Sequence, residues 1–316
     1  MSKKIAFIFP GQGSQYVGMG KDFYEEFAVS RHVFNEADRI LGYKFSDLIF
    51  SGPKEELTLT KNSQLAIYIV SYAIYKAMQE KIPTLQPSVC AGLSLGEYTA
   101  LTVSGKISFE DCLKLVQHRA QFMNDACDTH PGSMSVVLGM EEKVVEEALK
   151  ELTGEIVGIA NLNCPGQIVI AGTKQGLDKA TEHLKAKGAK RILPLDVSGA
   201  FHSPLMQEAG TLLAPFLKAA DLTPSSIELV MNTPGAFVTD LDVMREQLVA
   251  QVSQPVRWEK GIHAMVASGV DLFVEMGCGK TLAGMNKRIG LAAPTLSIEK
   301  ITDIEALTKD CTSCNC

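Results

Sequence analysis

Ser94 is flanked two positions away on each side by glycine, in Gly92-Leu93-Ser94-Leu95-Gly96. A short apolar run precedes it and a helical run follows. In that setting Gly-x-Ser-x-Gly forms a nucleophile elbow, a strand-to-helix turn so tight that small residues must stand around the serine. The turn pushes the hydroxyl outward and aims the next backbone N–H, that of Leu95, where an oxyanion would develop. Gly and Ser are common, so a chance match is the competing explanation, and the strand–helix context weighs against it. A free serine hydroxyl is a poor nucleophile and needs a base. Six histidines are available. His32, His183 and His263 fall within helical runs and read as surface or core residues. His130 precedes Pro131 in a loop. His118 adjoins Arg119, whose charge discourages proton uptake. His202 follows a strand end and Gly199, with Pro204 closing the segment, and loops at strand ends are where folds present reactive groups. On pattern alone His202 is the best placed of the six.

A second glycine turn, Gly11-Gln12-Gly13, follows the first strand and could present backbone N–H groups to an anion. It is not a dinucleotide fingerprint, because Tyr16 stands where the third glycine is needed. Gly279-Lys280-Thr281 is not a nucleotide-binding loop, because the required first glycine is Val274. Of eight cysteines, Cys90, Cys112, Cys127, Cys164 and Cys278 read as buried free thiols. Cys311, Cys314 and Cys316 crowd the end without a fourth ligand nearby, so a frayed polar tail is expected there in preference to a metal site.

These residues need elements to hold them. Residues 4–9 read as a buried strand stopped by Pro10 and Gly11. Residues 20–41, 63–80, 95–103 and 108–127 carry helical spacing, and 88–92 reads as a strand. The middle of the chain is organised differently. Strand 133–138, helix 141–152, strands 156–162 and 167–171, helix 176–187 and strand 191–197 follow the β-α-β-β-α-β order of a ferredoxin-like unit. Helix 209–219, strand 227–232, helices 242–252 and 258–267, strand 272–275 and helix 281–289 then return to alternation, which implies a mostly parallel sheet covered on both faces. The expected architecture is therefore α/β: a hydrolase-like parallel-sheet body made of residues 1–130 and 198–316, interrupted by a ferredoxin-like α+β subdomain at 131–197. The composition, 46% hydrophobic and 21% charged, is that of a globular protein, and the net charge of −6 argues against a general nucleic-acid binder. No apolar run is long enough to span a bilayer and the start carries no cleavage-site pattern, so a cytoplasmic protein with no membrane association is expected.

Seven segments in chain order resemble one family: Phe9-Pro10-Gly11-Gln12-Gly13-Ser14-Gln15; the elbow; Gln117-His118-Arg119-Ala120-Gln121-Phe122-Met123; Asn161-Leu162-Asn163-Cys164-Pro165-Gly166-Gln167; Gly199-Ala200-Phe201-His202-Ser203-Pro204; Gln251 with Pro255-Val256-Arg257-Trp258; and Glu275-Met276-Gly277 through Lys287-Arg288-Ile289. The family is the malonyl-CoA:acyl-carrier-protein transacylases of type II fatty-acid synthesis, and the resemblance covers nearly the whole chain.

The resemblance implies a malonyl transfer from coenzyme A to an acyl carrier protein through an ester on Ser94. His202 would be the base, oriented by a backbone or amide carbonyl of Gln251. The backbone N–H groups of Gln12 and Leu95 would form the oxyanion hole. Arg119, which on pattern alone reads as a surface helix arginine, would clamp the malonyl carboxylate. Phe201 resembles the malonyl-selective members, and Asn163 and Gln167 match amides near the substrate channel. Lys190, Arg191, Lys287 and Arg288 could meet an acidic carrier protein, although charged pairs on a solvated face are usually only that. The chemistry needs no metal or redox cofactor, coenzyme A and the phosphopantetheinyl carrier being substrates, and a monomer is expected. Leu93 departs from the family's usual His, and Leu65 and Cys278 each replace a usual proline, which should alter loop stiffness. The alternatives are a serine hydrolase or thioesterase, against which Arg119 and Gln251 speak, and a catalytically weak docking protein for carrier-bound chains, suggested by Leu93 alone.

Overall fold

The structure, a computed structural model, describes residues 3–314. Its strands in chain order are β1 (Lys4–Phe9), β2 (Val89–Gly92), β3 (Ser133–Leu138), β4 (Val157–Cys164), β5 (Gln167–Gly172), β6 (Arg191–Pro194), β7 (Glu228–Met231), β8 (Ala236–Phe237), β9 (Val270–Met276) and β10 (Thr295–Ile298). The chain divides into two compact units. The first runs up to Gln117 and adds Asp221–Val230 and the chain from Ala264 onward; the second holds His118–Ala220 and Met231–His263.

The first unit is built on a parallel sheet in the order β10-β9-β1-β2-β7. β1 lies at its centre, and Ala6 to Phe9 are fully buried, as expected of a continuous apolar strand covered on both faces. β1 and β2 end level, with Phe9 opposite Gly92, so the turns that follow both strands leave from the same edge. The helix Thr60–Lys81 is buried around most of its circumference and reads accordingly as apolar on nearly every side. Leu65 lies inside this helix and is buried, so the expected change in loop stiffness does not arise there: a proline at that position would have cost the helix an N–H.

The second unit contains an antiparallel sheet ordered β4-β5-β3-β6. With the helices Glu142–Lys150 and Lys174–Ala186 this is the β-α-β-β-α-β arrangement expected from the sequence. Its core is Val137, Val145, Ala148, Ile168, Ile170, Leu177 and Leu184. Two further helices of this unit, Gln207–Ala219 and Leu241–Gln251, pack on each other. After the second, Val256 pairs in parallel with Asn161 of β4, and the buried Trp258 opens the helix Trp258–Ala267.

Residues 20–41 form two helices, Lys21–Glu26 and Ala28–Leu41, and not one. Phe27 between them is extended (φ −106°, ψ 122°) and buried, with its ring stacked on Phe23 at 5.9 Å. Burial of an apolar residue at the break keeps the helical spacing intact in the sequence and hides the interruption. The short helices Phe45–Ser51 and Lys54–Thr58, the strands β8 and β10, and the last helix, Ile301–Cys314, are additions to the elements read from sequence. The backbone at Cys311 and Cys314 is therefore helical and not a frayed tail; the side chains beyond residue 307, and Cys316, lie outside the described residues. Among the described residues no helix is long and apolar enough to cross a membrane, and no cluster of three or more His, Cys, Asp or Glu could hold a metal ion.

Candidate active site

Only two described residues other than glycine have positive φ: Ser94 (51°) and His202 (57°). Such a conformation is costly for a side-chain-bearing residue and survives only where its surroundings fix it.

In the first unit, Ser94 sits between β2 and the helix Gly96–Val103. A Cβ on Gly92 would overlap the backbone of Gly96, and one on Gly96 would overlap the carbonyl of Phe9. Both glycines are thus required by close approach of backbone, which is the steric reason for the spacing in the sequence. Leu93 N–H donates to Phe9 O at 3.0 Å, Gly96 N–H to Leu93 O at 2.9 Å and Glu97 N–H to Ser94 O at 3.1 Å, pinning the turn on both sides of the serine. Leu95 opens the helix, where backbone N–H groups have no intrahelical acceptor. The turn after β1 presses on the elbow, since a Cβ on Gly11 would overlap the carbonyl of Leu93. The Gln12 side chain is held by Thr60 Oγ1 (3.2 Å) and by Gln64 Nε2 (3.4 Å), so its backbone is fixed by contacts of its own amide.

In the second unit, His202 is the only buried histidine of the six, 4% exposed. Its Nδ1 lies 2.6 Å from the backbone carbonyl of Gln251. A carbonyl only accepts, so the hydrogen is on Nδ1 and Nε2 is the basic nitrogen of the neutral ring. Burial, and then the Arg119 charge, lower the His202 pKa to about 4, against the opposing effect of the Gln251 carbonyl. Ser203 Oγ donates to Ala200 O at 2.6 Å and accepts from Leu205 N–H at 3.3 Å, closing the turn around the histidine. Gly199 is packed so closely on Cys127 that a Cβ there would overlap its Sγ. Phe201 is buried beside His202.

Arg119 is 1% exposed and donates from Nη2 to Gln251 Oε1 at 2.9 Å. Gln251 therefore serves two partners: its backbone oxygen takes the histidine and its amide oxygen takes the arginine. The sequence does contain a signal for a buried Arg119. Val116, Arg119, Ala120 and Met123 follow the i, i+3, i+4, i+7 stripe of the helix Phe109–Thr129, and its neighbours on that stripe are buried. An arginine on an apolar stripe is rarely there for packing.

The structure brings together Arg119, His202 and Gln251, with Phe201 alongside, in one unit, and Gln12, Ser94 and Leu95 in the other. Asn163 and Gln167 sit on the β4–β5 hairpin. Gln167 Oε1 accepts from Cys164 Sγ at 3.5 Å, while the buried Oδ1 of Asn163 has no hydrogen-bond partner. The other histidines have different work. His118 stacks on Phe216 at 3.8 Å, His130 and His183 lie beside Glu208 and Glu151, His263 faces Glu259 and His32 lies exposed at a surface cavity.

The first unit thus carries an elbow serine, and the second a buried imidazole hydrogen-bonded through Nδ1 and a buried arginine. The family described as "Acyl transferase domain" matches residues 6–292. The malonyl CoA-acyl carrier protein transacylase of Bacillus subtilis (strain 168) is 42% identical over 304 residues, 96% of this chain and 95% of that one. The solved structure of the same kind of enzyme from Clostridium perfringens ATCC 13124 has a TM-score of 0.94 and 37% identity, covering 99% of this chain and 98% of that one. A malonyl-transacylase solved in complex with its type II PKS acyl-carrier protein has a TM-score of 0.93 and 36% identity, covering 97% and 99%. The chain belongs to the malonyl-CoA:acyl carrier protein transacylase family of acyltransferases.

Proposed function

We propose that the enzyme transfers malonyl groups from malonyl-CoA to the phosphopantetheine thiol of acyl carrier protein in two half-reactions at Ser94, supplying malonyl-carrier for fatty-acid elongation. Ser94 Oγ attacks the thioester carbonyl as His202 Nε2 takes its proton. The C–S bond then breaks, and His202 returns the proton to the departing thiolate. The carrier thiol reverses the sequence. The backbone N–H groups of Gln12 and Leu95 hold the oxyanion. Arg119 pairs with the free carboxylate of the malonyl group, and Phe201, Asn163 and Gln167 line the acyl pocket. A neutral carbonyl behind the histidine stabilises imidazolium less than a carboxylate would, which suits a thiol leaving group.

The observation that carries this reading is the double use of Gln251, which ties a buried cation to the same residue that orients the base. A cation fixed beside the base matches an acyl group bearing a carboxylate, and an acetyl group would leave it without that partner at a cost on the order of a few kcal/mol. The reading includes a cytoplasmic monomer with no metal or redox cofactor and no nucleic-acid or membrane partner. It also takes residues 1–130 and 198–316 as the catalytic body and 131–197 as an inserted subdomain.

Intact-protein mass after brief exposure to malonyl-CoA tests it. The parent should gain a malonyl adduct that carrier protein discharges, and Ser94→Ala should gain none. Consumption of malonyl-CoA without an adduct would mean hydrolysis and overturn the transfer step. No adduct and no consumption would overturn the enzyme reading and point to Leu93.

A further inference from the structure

In an α-helix the carbonyl of residue i accepts the N–H of residue i+4. For Gln251, the last residue of the helix Leu241–Gln251, that donor would belong to residue 255, which is proline and has no N–H. The next two N–H groups along the chain are committed elsewhere. Val256 donates to Ala160 O of β4 at 2.8 Å and Arg257 to Asn232 O at 2.9 Å, while Leu162 N–H returns a bond to Val256 O at 2.8 Å. Behind the helix end, Val252 N–H reaches Val249 O and Ser253 N–H reaches Ala250 O, the tightened bonding of a helix that is stopping. The Gln251 oxygen, meanwhile, lies 2.6 Å from His202 Nδ1.

We propose that Pro255 is a positioning residue for the acyl-transfer base: by withholding a backbone N–H from the Gln251 carbonyl it reserves that oxygen for His202 Nδ1–H and so fixes Nε2 as the basic nitrogen. The inference rests on the reading of His202 as the base. Two physical effects combine at this one residue. The missing N–H removes the α-helical competitor for the carbonyl. The ring also disfavours helical geometry at Gln254, so the chain leaves the helix and runs out to pair with β4. An ordinary residue at 255 would let the helix continue by one bond, and that bond would draw the oxygen toward the helix axis and compete with the imidazole for it. A buried imidazole without its Nδ1 acceptor has no reason to keep Nε2 unprotonated, because the two neutral tautomers are then separated only by whatever else surrounds them.

The test compares the parent, Pro255→Ala, and a chain carrying L-lactic acid at position 255, which has the alanine side chain but an ester oxygen in place of the N–H. Single-turnover malonyl loading of Ser94 gives the rate, and nitrogen NMR of labelled histidine gives the His202 tautomer. Pro255→Ala should load malonyl more slowly by on the order of tenfold or more, with the Nε2–H form appearing. The lactate chain should recover the parent rate and the Nδ1–H form. The proposal is overturned if Pro255→Ala keeps both the parent rate and the parent tautomer, or if the lactate chain is as slow as the alanine chain, since ring rigidity and not the missing N–H would then matter. It is equally overturned if the parent itself carries the hydrogen on Nε2, a result that needs no variant and stands even if Pro255→Ala does not fold. His202→Ala separates the two levels: full loading by that variant removes the base reading itself, whereas its collapse alongside an unaffected Pro255→Ala removes only the role of Pro255.

Discussion

The elbow around Ser94 and the turn around His202 hold the two described non-glycine residues with positive φ, yet they are fixed by different means. The elbow is held by backbone. Gly92 and Gly96 let backbone approach backbone, and the serine's flanks are pinned by Gly96 N–H on Leu93 O within the turn and by Leu93 N–H on Phe9 O of β1. The histidine turn is closed by Ser203 on Ala200 O, and its imidazole is held by a carbonyl 49 residues away at a helix end. Backbone approach that only glycine permits leaves a pattern in sequence, and an acceptor supplied by a distant carbonyl does not.

The contrast is broken most severely by Gly92→Ala. The added Cβ has no space against Gly96, so the elbow must open, and malonyl loading should fall by roughly a thousandfold or more, as expected when nucleophile and oxyanion donors are displaced together. Intact-protein mass after timed malonyl-CoA exposure checks this, and near-parent loading would show that the elbow tolerates rearrangement. Next in size is Arg119→Ala, which should cut the preference for malonyl over acetyl by about a hundredfold. Competition between the two thioesters measures it, and an unchanged ratio would remove the clamp.

The pH dependence sharpens the histidine side. His202 must be neutral to accept the serine proton, and burial and Arg119 lower its pKa to about 4 from an ordinary 6.5. Loading should stay level from neutral pH downward and fall only as the pH passes through about 4. Without the Arg119 charge the pKa rises, so Arg119→Ala should move this acid limb to higher pH; a limb left in place would mean that another group sets it. The same depressed pKa contributes stability that is fully present above 6.5, the unfolded value, and is lost as pH falls through about 4. The smallest effect is expected for Gln251→Ala, which keeps the backbone carbonyl on His202 but removes the Oε1 that anchors Arg119. The KM for malonyl-CoA should rise by roughly tenfold, the loss of one charge-assisted hydrogen bond, with the acid limb little changed. A large fall in kcat at unchanged KM would assign the side chain to the base instead.

Legibility follows the same divide. The elbow, the strand before it and the helix after it can be read from Val89 to Val103 because glycine spacing and an apolar run mark them. Gly199 and Pro204 single out His202 among the six histidines, but its acceptor comes from the end of Leu241–Gln251 and carries no local mark. Arg119 reads as a surface residue from its charge alone, although Val116, Ala120 and Met123 mark its stripe as buried; periodicity is the better guide there. The break at Phe27 is hidden because an apolar residue at the expected spacing is consistent with a helix that continues. Pro255 stands in the sequence as part of a family segment, and its use becomes visible only when the donors of Val256 and Arg257 are followed to β4 and to Asn232.

Trp258 is the only tryptophan in the chain and is buried three residues after Pro255. The protein thus carries an intrinsic fluorophore at the joint where the Gln251 helix gives way to the β4 pairing, without any competing indole signal. Its emission on malonyl loading or on acidification reports the local environment of that joint in the unlabelled enzyme, so the rigidity of the support behind the base can be followed optically in real time.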